Sequence, residues 1–198
     1  GSPANCPGVI GVAGLRHIGT KVGFSDLGSS IAIAAPGGNC VNLGANDPCL
    51  YPILTTIDSG RQAPGSPAYS DAFNASVGTS FSSPLVAGTA ALLFSVKPTL
   101  TPTQVRTAMT STARPFVARS APADPTPTCQ APGNFDQLEC YCTTSTCGAG
   151  MLDAAAAVQA ALAPVVARIT VSPADPLAGD PVAQQQRHFT GKHIANNA

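Results

Sequence analysis

The chain is 198 residues long, and its ten basic residues are balanced by ten acidic ones. A chain of this length can bury one core and part of a second. It has no basic face and no polybasic run, so we expect neither a nucleic acid nor a membrane surface as its partner. No apolar run is long enough to predict a bilayer span.

The seven cysteines fall in loop-like sequence, which indicates an oxidising compartment and a secreted protein. Cys40 and Cys49 bracket one loop and are expected to pair. Cys6 is left over, and we expect its partner upstream of this chain. The spacing of the other four predicts two bridges, and it fits adjacent and crossed pairings equally well. No zinc or other metal site is predicted from them, because no histidine lies among Cys129, Cys140, Cys142 and Cys147.

Two short apolar runs predict buried strands of a parallel sheet. They cover residues 9–15 and 31–35, and Pro36 and the glycines after it end the second run. Residues 38–76 are rich in Gly, Pro, Asn and Ser, which predicts long loops. A hairpin is possible there, with residues 53–56 as its best strand candidate.

Three helices are predicted after these loops. The first runs from about Ser80 to just before Pro98, and because it is apolar all round we expect it to be buried. The second begins at Thr101 with a capping box and a proline at its first position. The third is alanine-rich and covers residues 151–162. A Pro- and Cys-rich loop at residues 115–147 separates the last two.

The end of the chain differs in composition. Residues 166–182 alternate like the opening of a small β module, and residues 184–198 are polar and predicted to be disordered. We therefore divide the chain into residues 1–163 and 164–198.

One segment carries a candidate for chemistry. Ser80 is predicted at the N-terminus of the first helix, where free N–H groups and the positive dipole end could stabilise an oxyanion. Gly78 permits a sharp turn before it, and Pro84 is tolerated if it lies in the first turn. The alternative is a serine N-cap on an ordinary buried helix. The segment reads Val77-Gly78-Thr79-Ser80-Phe81-Ser82-Ser83-Pro84-Leu85-Val86-Ala87-Gly88.

This segment closely resembles the active-serine segment of the subtilisin family, Gly-Thr-Ser-x-(Ser/Ala)-x-Pro-x-Val-x-Gly. The resemblance extends over residues 1 to about 163. Four further segments carry it: Pro3-Ala4-Asn5-Cys6-Pro7-Gly8-Val9-Ile10-Gly11-Val12, Phe24-Ser25-Asp26-Leu27-Gly28, Ala34-Ala35-Pro36-Gly37 and Cys147-Gly148-Ala149-Gly150-Met151-Leu152-Asp153-Ala154.

The resemblance implies the C-terminal half of a three-layer α/β/α domain with a mainly parallel sheet. It implies a serine endopeptidase that cleaves proteins or peptides through an acyl-enzyme, with Ser80 as nucleophile and its own N–H as one oxyanion donor. Gly78, Thr79, Ser82 and Pro84 would shape the site. The mechanism needs no cofactor, and calcium is an expectation from the family alone.

The family's aspartate, histidine and oxyanion asparagine segments precede the strand that opens this chain. We therefore expect a missing N-terminal half as partner and little activity from these residues alone. Asn5 is not assigned the oxyanion role. His17 follows the wrong strand for the catalytic base and is predicted to be a turn residue. No catalytic role is assigned to Asp26, Asp58, Asp71, His188 or His193.

Two other hypotheses stay open. The chain could be a degenerate protease remnant that serves as a structural or binding module. It could also be one half of a nicked enzyme, held to the other half non-covalently or through Cys6.

Overall fold

A computed structural model describes residues 3–39, 51–70, 77–119 and 121–162. The chain separates into two units, Gly1–Ala163 and Pro164–Ala198. The second unit lies outside the described residues, and with it the predictions of a β module and a disordered tail. The same holds for the predicted Cys40–Cys49 bridge and for Asp71, His188 and His193.

A buried parallel strand pair is the centre of the fold. Strand β1 (Gly11–Leu15) pairs in parallel with β2 (Ile31–Pro36), with Val12 opposite Ile33. Both strands are small and apolar, and nearly every residue of each is buried. The predicted parallel strands are thus confirmed, since only strands covered on both faces can be apolar throughout.

The chain returns to this sheet just before its last helix. The Ala34 N–H donates to the Gly150 carbonyl at 3.0 Å, and the Leu152 N–H donates to the Ala34 carbonyl at 2.8 Å. A Cβ atom at Gly148 would lie only 2.4 Å from the Ala32 carbonyl carbon, so the backbones meet where no side chain fits.

The last helix begins later than predicted, at Ala154 rather than residue 151. Met151 is held in extended backbone by two bonds of 2.8 Å with Arg114, one in each direction. Its N–H and carbonyl are therefore not available for a helical turn. The Asp153 carboxylate accepts from the Ala156 N–H at 2.9 Å, which satisfies one free donor of the first turn.

Three helices pack on one face of the sheet: α1 (Thr79–Val96), α2 (Pro102–Ser111) and α3 (Ala154–Leu162). The capping box predicted at Thr101 is confirmed, because its N–H donates to the Gln104 side chain at 2.8 Å and its hydroxyl accepts the Gln104 N–H at 3.3 Å. The core on this face consists of Ile33, Ala35, Val86, Leu93, Val105, Met109, Ala157 and Ala161.

The Cys-rich loop covers the other face. The predicted two bridges are present with adjacent pairing, Cys129–Cys140 and Cys142–Cys147. All four cysteines are buried against Ala13, Leu15, Ile31 and Ala34. The fold class is α/β as predicted. Within the described residues, however, the second covering layer is this loop and not a layer of helices.

The prediction that α1 is buried all round is wrong. One stripe of the helix faces the core, and an adjacent stripe of Leu85, Leu92 and Val96 is exposed. Uniformly apolar sequence marks no face, so periodicity could not show which side lies against the sheet. The core-facing stripe consists of Ser82, Val86, Thr89 and Leu93.

Helix α1 has 18 residues and a mean hydropathy of 1.3, so by length and composition it could cross a membrane. Pro84 and the serines before it interrupt the apolar residues, so no apolar run of that length was predicted here. A single helix of this kind is weak support for a span, because core helices of globular domains have the same character.

A small hairpin lies in the loop region. Strand β3 (Thr55–Asp58) pairs antiparallel with β4 (Pro67–Ser70), two residues beyond the strand expected at 53–56. The Asp58 carboxylate accepts the N–H groups of Gly65 and Gly60, both at 2.8 Å. These two bonds lower the pKa of Asp58, because they favour its charged form. The carboxylate thus holds the hairpin loop together.

A buried lysine joins the turn after β1 to the Cys-rich loop. Lys21 is 2% exposed, and burial lowers its pKa while the nearby Asp26 carboxylate opposes that shift. Its ammonium donates to four backbone carbonyls, those of Val22 at 3.0 Å, Gly23 at 3.3 Å, Gln137 at 2.7 Å and Leu138 at 3.1 Å.

We expect Lys21→Met to destabilise the domain by about 3 kcal/mol, because it leaves buried carbonyls without their donor. Urea unfolding of the full-length protein measures this. Lys97→Met is the matched control, since Lys97 is only half-buried at the end of α1. Equal losses in the two variants would contradict a structural role for the Lys21 ammonium.

Candidate active site

Ser80 is the second residue of α1 and is exposed to solvent. The N-cap is Gly78, and no side chain caps the helix. The first N–H groups of a helix have no intrahelical acceptor, so they can meet an anion at this end. The alternative of Ser80 as an ordinary N-cap is therefore wrong, because Ser80 lies inside the helix.

The turn before Ser80 is attached to the sheet. Gly78 has φ 144°, a conformation that favours glycine. Its N–H donates to the Gly37 carbonyl at 2.7 Å, and its own carbonyl accepts the Phe81 N–H at 3.0 Å. The position of Ser80 thus follows from the residues just after β2.

Ser82 lies beneath this turn. It is fully buried, and its hydroxyl has no hydrogen-bond partner among the described residues. A Cβ atom at Gly37 would come within 2.8 Å of the Ser82 hydroxyl oxygen. This close contact requires glycine at position 37 and a small residue at position 82. Ser82 therefore supports the turn from the buried side of the helix.

A cavity of about 340 Å³ borders the same end of α1. Thr79 lies between it and the sheet, and its methyl group would lie 3.3 Å from a Cβ atom at Gly14. The lining is more polar than apolar, with Asp26 and Ser30 among its polar members, and residues on both sides of Ser80 contribute to it. The lining includes Val12, Phe24, Leu27, Ile31, Thr79 and Ser83.

Pro84 was expected in the first helical turn, and this prediction is wrong. Because α1 begins at Thr79, Pro84 is its sixth residue and lies inside the helix. A residue with an N–H at this position would donate to the Ser80 carbonyl, four residues earlier. Proline removes that bond, so the carbonyl of Ser80 lacks its usual helical donor.

The other candidates form no hydrogen bond with Ser80 among the residues that the structure describes. His17 is in the turn after β1, as predicted, and its ring contacts Asn39 and Tyr51. Asp26 lines the cavity, and Asn5 is an exposed turn residue. No hydrogen bond joins the Ser80 hydroxyl to any residue in the described part of the chain.

Two contributors to the site were not recognised from the sequence. Gly37 was identified as the end of a strand and as part of a segment that resembles the family, but its contact with the Ser80 turn was not predicted, although a Pro-Gly-Gly run after a buried strand indicates a close backbone approach. Asn39 is fully buried and bonded to Arg16 and His17, and no local pattern marks it.

The structure is an α/β domain with an exposed serine at an uncapped helix end. The pattern of the Subtilase family matches residues 1–151. An extracellular protease of Xanthomonas campestris pv. campestris is 37% identical over 161 residues, which cover 81% of this chain and 21% of that protein. Subtilisin NAT of Bacillus subtilis subsp. natto is 34% identical over 113 residues, 57% of this chain and 23% of that protein.

A solved protease structure from Pseudoalteromonas arctica superposes with a TM-score of 0.59 at 38% identity, covering 81% of this chain and 38% of the other. The chain belongs to the subtilase family. It spans about a fifth of the Xanthomonas relative and less than a quarter of subtilisin NAT.

We expect Pro84→Ala to stabilise the full-length protein, by up to about 3 kcal/mol, because a helix-interior proline costs that much relative to alanine. Differential scanning calorimetry measures the shift in Tm. Pro98→Ala is the control, because Pro98 follows the helix and breaks no helical bond. An equal or lower Tm for Pro84→Ala would show that the proline fits its position without a stability cost.

Proposed function

We propose that the full-length protein is a secreted serine endopeptidase that hydrolyses peptide bonds through an acyl-enzyme on Ser80. The observation that carries this proposal is the exposed Ser80 at the uncapped N-terminus of α1, attached to the sheet through Gly78 and Gly37.

The arrangement suits acyl transfer. The Ser80 oxygen bonds to the carbonyl carbon of a peptide, its proton passes to a base, and the carbonyl electron pair moves onto oxygen. The Ser80 N–H at the positive end of α1 stabilises that oxyanion. The oxyanion then collapses, the amine leaves with a proton from the same base, and water hydrolyses the ester in the second half-reaction. No cofactor enters these steps.

The base lies outside the described residues, and we propose that an N-terminal half of the domain supplies it. The exposed stripe of Leu85, Leu92 and Val96 supports this, because apolar side chains side by side on one helix are an unusual solvent face. The same half would cover the cavity beside Thr79.

Family membership and the named relatives support a proposed substrate class and location. The Xanthomonas and Dichelobacter nodosus relatives are named extracellular proteases, and the two buried disulfides fit an oxidising compartment. We therefore propose protein or peptide substrates outside the cell. Calcium has only family membership as support.

A fluorophosphonate probe tests the proposal on the full-length protein. We expect the probe to label Ser80, as identified by mass spectrometry. Ser80→Ala should lose labelling and at least about a thousandfold in peptidase kcat, because the nucleophile is gone.

Ser95→Ala is the control, since Ser95 is a second exposed serine of the same helix, near its C-terminal end. Its labelling and activity should match the parent. Absence of label from the parent would refute the protease and favour the degenerate remnant as a binding module.

Cys6 provides a separate test of the proposed N-terminal half. It is an exposed, free cysteine among the described residues. We expect a disulfide between Cys6 and an upstream cysteine in the full-length protein, detected as a cross-linked peptide in a non-reduced digest. Alkylation of Cys6 by iodoacetamide without prior reduction would contradict the pairing.

A further inference from the structure

A polar chain centred on the buried Asn39 lies beside the Ser80 turn, and His17 at one end of it is exposed to solvent. Asn39 is fully buried between two residues of the turn after β1. The Arg16 Nε–H donates to the Asn39 Oδ1 atom at 2.7 Å, and the Asn39 Nδ2 atom lies 3.0 Å from the His17 Nδ1 atom.

The first of these bonds fixes the second. Arginine Nε is always a donor, so the atom of Asn39 that meets it must be the amide oxygen. The amide nitrogen, a donor, then faces His17. The His17 Nδ1 atom must accept, which places the ring proton on Nε2 and keeps the ring neutral.

Protonation of His17 would break this arrangement. The Asn39 Nδ2–H and the His17 Nδ1–H would then face each other without an acceptor between them. Rotation of the Asn39 amide would instead place its Nδ2–H against the Arg16 Nε–H. Among the described residues, the other groups that face His17 are Tyr51, stacked on its ring at 3.7 Å, and Glu139, which forms an ion pair with Arg16. Burial and then Arg16 lower the pKa of His17, while Glu139 opposes them.

Asn39 is connected to Ser80 through the backbone. It follows Gly37 and Gly38 directly, and the Gly37 carbonyl accepts the Gly78 N–H at 2.7 Å. A Cβ atom at Gly38 would lie 2.6 Å from the Val77 side chain, so these residues contact the stretch before Ser80 closely. The Asn39 bonds therefore hold the far end of the turn to which Gly78 is attached.

We propose that Asn39 is a positioning residue for Ser80 and that it holds the turn only while His17 is neutral. This rests on the proposed role of Ser80.

The sign of the pH dependence follows from the geometry. Neutral His17 is the form that the folded state favours, so its folded pKa lies below the ordinary value of 6.5. The stability from this chain of bonds is therefore complete above 6.5 and is lost as the pH falls through the folded pKa. Positioning of Ser80 should be lost in the same window.

The test combines nuclear magnetic resonance with probe labelling of the full-length protein. In the parent, the ¹⁵N shifts of His17 should show a proton on Nε2. The Gly78 amide shift should titrate together with the His17 ring, at a midpoint below 6.5.

Two variants at position 39 separate loss of the Asn39 bonds from a change in their dependence on pH. Asn39→Leu removes both bonds, and we expect Ser80 labelling at pH 7.5 to slow by about tenfold to a hundredfold through misplacement. Asn39→Asp offers an oxygen to Arg16 and another to a proton on His17 Nδ1. It should raise the pKa of His17 above 6.5 and leave the Gly78 shift flat across that titration.

His17→Gln keeps an acceptor for Asn39 but does not titrate. The ratio of its labelling rate to that of the parent should rise as the pH falls below 6.5, a comparison in which the shared catalytic base cancels. Asn134→Asp, the same change at an exposed site of the Cys-rich loop, is the control and should behave as the parent.

Three results would overturn the proposal: a proton on Nδ1 in the parent, a Gly78 shift that ignores His17, or a labelling rate for Asn39→Leu within twofold of the parent. Absence of labelling in the parent would refute the proposed function instead, and the resonance measurements would still decide whether His17 controls the turn.

Discussion

The hydrogen bond from the Gly78 amide to the Gly37 carbonyl joins the sheet to the helix that carries Ser80. Its net free energy is about 1 kcal/mol, no more than that of any other backbone hydrogen bond in the domain. Its importance is geometric. Strand β2 is buried on both faces and cannot shift. The turn before Ser80, which is bonded to the residue just after β2, is therefore held in a fixed position. Everything proposed for Ser80 depends on that attachment.

The Cys-rich loop contributes rigidity from the opposite face. Its four half-cystines pack on the apolar side chains of the sheet where a helix could otherwise lie. A loop has few backbone bonds of its own, so it needs covalent links and the Lys21 ammonium to stay in place. Glu139 belongs to the same loop and pairs with Arg16, which extends the support to the Asn39 turn.

Much of this fold could be predicted from local sequence because local chemistry determines it. The parallel strands, the capping box at Thr101 and the helix near Ser80 all follow from short patterns. The exposed stripe of α1 could not be predicted, since an apolar helix has no polar face to mark its outer side. The position of Pro84 was misjudged, because even with the predicted start at Ser80 it is the fifth helical residue and lies beyond the first turn.

The buried polar contacts could not be predicted for a different reason. Lys21 reaches carbonyls 116 and 117 residues further along the chain, and carbonyls carry no side-chain signal. The bonds between Arg16, Asn39 and His17 likewise depend on tertiary placement. His17 was predicted to be a turn residue and not the catalytic base, and it lies in the turn after β1. Its partners there, Asn39 and Tyr51, give it a structural role that the sequence did not show.

The turn around Ser80 collects several features that each lower stability. The helix has no side-chain cap, a proline interrupts its bonding, and the buried Ser82 hydroxyl has no partner among the described residues. A cap is worth about 1 kcal/mol, and a buried unsatisfied hydroxyl costs about 1–3 kcal/mol. An ordinary buried helix would be expected to lack such defects in its first two turns. Their concentration at one exposed serine is typical of a reactive site, where geometry at the nucleophile takes precedence over local stability.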